Sequence, residues 1–185
     1  MLISLNSFRL ILFVSVLSIA GLAETFWHIR RWETPRWKRW VFHGVLTVFN
    51  TVLTRLAALG PLLIWLEYVR NQGWGLSQKF GITGIAEVVT TFILFDLFDY
   101  WWHRWNHTVP FLWRFHKPHH IDTHVDVTTS LRFHPGELFL SYGMKAIWIL
   151  IWGPSLVGFM IFEAGITAYS QFHHSNIDFP DLWEK

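Results

Sequence analysis

The sequence predicts an all-α integral membrane protein: a helical bundle of about four hydrophobic segments, the last a helical hairpin, with a histidine-rich metal face on the cytosolic side. Three observations carry this expectation. Charged residues are only 15% of the 185 positions and apolar residues 52%, whereas soluble domains carry about a quarter charged. Long apolar runs alternate with short segments in which basic residues and many of the 13 tryptophans concentrate, as at membrane–water interfaces. Five of the 11 histidines fall between positions 103 and 120, directly after one of these runs. Cysteine is absent, which removes disulfides, thiolate zinc sites and cysteine-held iron–sulfur clusters together. A net charge of +2 is too small to argue for a nucleic-acid partner.

The first apolar run, about Phe8 to Phe26, holds Arg9 as its only early charge. Small-residue triplets such as Ile19-Ala20-Gly21 resemble cleavage sites, but no basic region precedes the apolar core, so a retained anchor helix is expected. His28 to Trp40 follows as a basic loop, with Arg30, Arg31, Arg36, Lys38 and Arg39 against Glu33. His28 and His43 are expected to be interfacial. The second run, Val41 to Val69, contains Gly60-Pro61, where a kink or break is expected because proline removes a helix hydrogen bond. Arg70 to Gly81 reads as a loop. The third run begins near Thr83 and passes through Trp102 into the first histidine cluster. The last, Glu137 to Phe172, is divided by Trp152-Gly153-Pro154 into halves of about 15 and 18 residues, short for full spans at about 1.5 Å rise per residue. A hairpin that enters and returns is therefore expected. With the basic loop placed inside, this order brings every histidine cluster to the cytoplasmic face. The division is residues 1–82, anchor helices with the basic loop, and 83–185, the histidine-bearing domain.

On a helix Asp96, Asp99 or Tyr100, His103 and His107 share one stripe. His103 and His107 can then grip one metal from adjacent turns, with Asp99 one turn back to orient a ligating imidazole through its second nitrogen. The bland alternative pairs Asp96 and Asp99 with Arg104 or other basic residues. His116-Lys117-Pro118-His119-His120 supplies three imidazoles in five residues, and Pro118 suits the first turn of a new helix there. His119 and His120 would point to different sides and could serve two metals. His173-His174 ends the hairpin and reaches the same face, offering at least one further ligand. His124 and His134 are weaker candidates: Arg132-Phe133-His134-Pro135 with Glu137 either lines the site or caps the next helix.

Five to seven imidazoles exceed what one zinc needs and suit a redox metal pair. The His-Glu-x-x-His of zinc proteases is absent, and a haem site gives no reason for three histidines in five residues. A metal transporter would line several spans with polar residues, whereas these histidines lie almost wholly at one face.

The ordered set Asp96-x3-Tyr100-x2-His103-x3-His107, His116-x2-His119-His120, Asp126-Val127-Thr128-Thr129, Arg132-Phe133-His134-Pro135-x-Glu137 and His174-Ser175-Asn176 resembles the sterol desaturase / fatty acid hydroxylase superfamily, over about half the chain. The resemblance implies a membrane-bound non-haem di-iron oxidoreductase. Such an enzyme uses O2 to hydroxylate or desaturate an unactivated C–H bond of a lipid, of sterol or fatty acyl type. It implies His103, His107, His116, His119, His120 and His174 as iron ligands, and an external electron donor of cytochrome b5 or ferredoxin type. Asp99 is expected to tune the ligands, and Arg104 and Arg114 to hold acidic groups or headgroups. Members of this superfamily usually continue to a further His-x2-His-His cluster. The resemblance therefore implies that residues 83–185 are an incomplete domain, a fragment or a chain truncated before that cluster, and a truncated, catalytically inactive membrane metal-binding relative is the alternative expectation.

Overall fold

The computed structural model describes residues 2–33 and 35–178. They form eight α-helices and no strand. The helices are α1 (Leu2–Phe26), α2 (Arg36–Thr54), α3 (Gly60–Asn71), α4 (Leu76–Lys79), α5 (Gly84–Thr108), α6 (Pro110–His120), α7 (Pro135–Trp152) and α8 (Leu156–His173). A π-helical turn (Arg55–Leu59) joins α2 to α3, and a 3-10 helix (Val127–Leu131) precedes α7.

By length and composition two stretches qualify as candidate membrane spans, Asn6–Phe26 and Arg36–Lys79. Their exposed side chains include Leu10, Ile11, Leu22, Val45, Phe49 and Leu56, and large exposed apolar patches mark faces that meet a membrane or another protein. The expected basic loop is shorter than 28–40, because α2 already begins at Arg36. Pro35 precedes it with an extended backbone (ψ 120°), as suits the residue that leads into a helix. Gly60-Pro61 does not break the second run. The wide π turn sits immediately before it, and Pro61 falls in the first turn of α3, where the missing N–H costs little.

The interior gathers Leu66 and Val69 of α3, Phe95 of α5, Ile149 and Trp152 of α7, and Phe159 and Phe162 of α8. Phe95 packs edge-to-face on Phe159 and Phe162 at centroid distances of 6.0 and 5.3 Å, each pair worth about 0.5–1.5 kcal/mol. Around this core α8 packs on α1 and α5, α6 on α5, and α7 chiefly on α3.

Two polar assemblies close the ends of the bundle. At one end the Gly153 carbonyl accepts from Ser77 Oγ and Gln78 Nε2, both at 2.6 Å. There too, Glu87 Oε1 accepts from the Ser155 amide at 2.7 Å. Gly153 makes the sharp turn with φ 69°, a left-handed conformation in which a side chain is strained. The expected hairpin is therefore two helices of 18 residues each. At the other end Glu24 is fully buried and accepts from the amides of Val127 (2.7 Å) and Asn176 (2.8 Å) and from Arg36 (2.6 Å). Arg39 bonds Asp122 at 2.7 Å and Asp126 at 2.8 Å, and Asp126 caps the 3-10 helix. His43 is buried against Thr128 at 2.9 Å rather than interfacial. These bonds pin the segment after α6 and the segment after α8 onto α1 and α2.

Candidate metal centre

The histidines collect at the end of the bundle that Glu24 and Arg39 brace. Helix α5 carries His103 and His107 four residues apart; Val109 then turns the chain and Pro110 starts α6 at its first position, where a missing N–H costs nothing. Pro118 was expected to begin a helix. Instead α6 runs from Pro110 to His120 with Pro118 in its last turn, where few backbone bonds remain to be lost. His116 and His120 thus form a second pair four residues apart, facing the first. Ring centroids of His103–His116, His107–His116 and His107–His120 lie 4.9, 4.8 and 4.7 Å apart. One ligand nitrogen from each of these four residues falls within 4.8 Å of the others. Trp113 flanks His107 and His120, both at 5.7 Å between centroids.

His119, on the other side of α6, stacks on Phe133 at 5.1 Å and meets His174 with Nε2 atoms 2.8 Å apart. His120 joins the four-histidine group and His119 pairs with His174, so the adjacent histidines serve two places. The groups abut, with 5.0 Å between the His119 and His120 rings.

The donor set fits metal ions. His119 Nδ1 donates to the Arg132 carbonyl (3.1 Å) and His174 Nδ1 to the Ser170 carbonyl (2.6 Å). A carbonyl only accepts, so each Nδ1 holds the proton and each Nε2 presents a lone pair. Two lone pairs facing each other at 2.8 Å repel unless a cation lies between them. The Nε2–Nε2 distances in the other group are 3.1 Å for His103–His107 and 3.0 Å for His116–His120. Two nitrogens at right angles on a metal about 2.1 Å away would lie about 3.0 Å apart. Desolvation, followed by the neighbouring imidazoles, holds His119 down at about 3 and His120 at about 4, and His174 below its ordinary value. These rings are neutral at pH 7, the form that binds metal.

Asp99, expected to back the ligands, is set among Lys145, Glu163 and Asp96. Lys145 bonds Glu163 directly, and Arg9 approaches the same carboxylate at 3.7 Å. Among the described residues the carboxylate bonded to a cluster imidazole is Glu137, whose Oε1 lies 2.8 Å from His116 Nδ1. Arg104 lies against Tyr100 and Trp101 rather than Asp96 or Asp99. His134 caps α7 by accepting from the Gly136 amide at 3.0 Å. His124 lies 3.6 Å from Glu33, and His173 packs on Tyr169 and Phe172. His28 is bridged to Ile177. The bracing roles of Glu24, Arg39 and Asp122 escaped the sequence reading. For Glu24 the available signal was a carboxylate inside an otherwise apolar run, which calls for a partner.

Fold and site together define a class: an all-helical, apolar-surfaced protein whose helix ends gather six imidazoles into two adjoining groups. Residues 88–185, just over half the chain, match the family model described as fatty acid hydroxylase, and the chain belongs to that family. The family is membrane-bound. No curated protein and no solved structure gives a match.

Proposed function

We propose that this protein is a membrane-bound, non-haem di-iron oxidoreductase that hydroxylates or desaturates a C–H bond of a lipid of fatty acyl or sterol type. His103, His107, His116 and His120 would hold one iron, and His119 with His174 would contribute to a second. Bound iron would supply the electron-transfer chemistry that lets O2 attack an unactivated C–H bond. Hydroxylation balances as C–H, O2, two electrons and two protons giving C–OH and water. Two electrons per turnover call for an external donor of cytochrome b5 or ferredoxin type.

The chain's own contribution is positioning. Carbonyls of Arg132 and Ser170 keep the Nδ1 protons of His119 and His174 in place, leaving each Nε2 free. Trp113 walls one flank of the four-histidine group, while His103, His107 and His120 keep exposed edges where a co-reactant can approach. A cytoplasmic metal face is supported by the Arg39–Asp122 ion pair, which joins the basic segment to the loop after His120, because basic segments favour the cytoplasmic side.

The observation that carries the reading is the convergence of two helical histidine pairs beside His119–His174 in a member of this family. The full chain, purified in detergent with iron, is expected to hold more than one iron per chain. Reconstituted with a reductase system and lipid under 18O2, it is expected to release oxidised lipid. Less than one equivalent of iron, unchanged by His119→Ala, overturns it. Iron uptake without O2-dependent product would favour a metal-binding, non-catalytic relative instead.

A further inference from the structure

We infer that Glu137 is a positioning residue of the metal centre: its carboxylate orients His116 and strengthens it as a ligand, an inference that rests on the metal-centre reading above. Glu137 is 4% exposed and occupies the first turn of α7. Its Oε1 accepts from His116 Nδ1 at 2.8 Å, and Oε2 is buried with no hydrogen-bond partner. His116 is itself fully buried. Because a carboxylate oxygen accepts, the Nδ1 proton stays on that side of the ring and Nε2 is turned to the four-histidine group, 3.0 Å from His120 Nε2.

Charge gives the second argument. Among the described residues no lysine or arginine pairs with Glu137; its partner is His116. A buried carboxylate without a compensating charge is strongly unfavourable. A cation on the far nitrogen of the His116 imidazole would compensate it. Carboxylate, imidazole and metal in line form an arrangement that raises ligand basicity. The other anchored rings, His119 and His174, lean on backbone carbonyls, so His116 alone among them has a charged partner. His116 also touches both His103 and His107. One carboxylate therefore sets the donor strength at the middle of the four-histidine group.

Glu137→Gln keeps an oxygen that can accept from Nδ1 and removes the charge, whereas Glu137→Ala removes both. The full chain in detergent is titrated with Co(II), reading affinity and the visible d–d spectrum, with helix content followed by circular dichroism. Weakening of about 10-fold for Glu137→Gln and towards 100-fold for Glu137→Ala is expected. A shifted d–d spectrum and partial recovery in Glu137→Asp should accompany it. Glu137→Gln binding as tightly as the parent, with the same spectrum, overturns the inference. A parent chain that takes up no Co(II) overturns the metal-centre reading itself. If the variants do not fold, nitrogen-15 histidine spectra of the metal-free parent decide: the Nδ1–H tautomer at His116 supports the role, and the Nε2–H tautomer ends it.

Discussion

At the scale of single residues, the two adjacent histidines of α6 offer the sharpest separation of roles. His120 faces His107 and His116 at 4.7 and 4.8 Å between centroids, whereas His119 meets His174. His119→Ala should therefore remove one metal equivalent and leave the Co(II) spectrum of the four-histidine group in place. His120→Ala should perturb that spectrum and spare the second group. Metal counting with spectroscopy on the two variants checks this, and equal losses in both would contradict two separable groups. His43, His134 and His124 lie outside both groups. Each is already engaged elsewhere: His43 with Thr128, His134 as a helix cap, His124 beside Glu33.

At the scale of elements, the turn between α7 and α8 decides whether His174 returns to the site. Gly75 lies so close to this turn that a Cβ there would strike the Gly153 backbone and, at 2.5 Å, Gln78 Oε1. Gly75→Ala is expected to destabilise the protein by about 1–3 kcal/mol, the scale of overpacking. Gly44→Ala, in the middle of α2 with open space around it, should be neutral or stabilise by about 0.5–1 kcal/mol. Thermal unfolding of both variants in one detergent gives the comparison. A milder effect at Gly75 than at Gly44 would mean that the α4 segment does not brace the turn.

At the scale of the whole molecule, burying imidazoles and crowding them at one end ties stability to pH. His119 is held at about 3 and His120 at about 4 when folded, against about 6.5 in an unfolded chain. Above pH 6.5 neither state binds these protons, and there is no penalty. As pH falls from about 6.5 towards 4 the unfolded chain takes up protons that the folded chain refuses, so stability falls through that window. The metal-free protein should show a falling unfolding midpoint from pH 7 to pH 5, and bound metal should be released over the same range. A midpoint flat across that interval would show that the rings are not desolvated as the structure has them.

Much of this architecture is legible in the chain because helical periodicity is local. Four-residue spacing puts His103 with His107 on one face, and the same rule pairs His116 with His120 once α6 is seen to start at Pro110 rather than Pro118. The Gly153-Pro154 punctuation likewise announces the turn that sends α8 back. Which carboxylate serves which imidazole is not local. Asp99 lies one helical turn from His103 in sequence, yet the charges around it are the Lys145 ammonium of α7, which compensates a buried carboxylate, and the Glu163 carboxylate of α8, which does not. Glu137 lies 21 positions from His116 and reaches it only because α7 packs on α6. Glu24, Arg39 and Asn176 brace the site across the whole length of the chain. The sequence by itself determined the helices, the apolar exterior and the supply of neutral nitrogen ligands, since these depend on composition and spacing. Only tertiary packing decided how the ligands divide into two groups and which charges support them, because unpaired charges in a buried interior settle against partners that the fold, not the spacing, brings near.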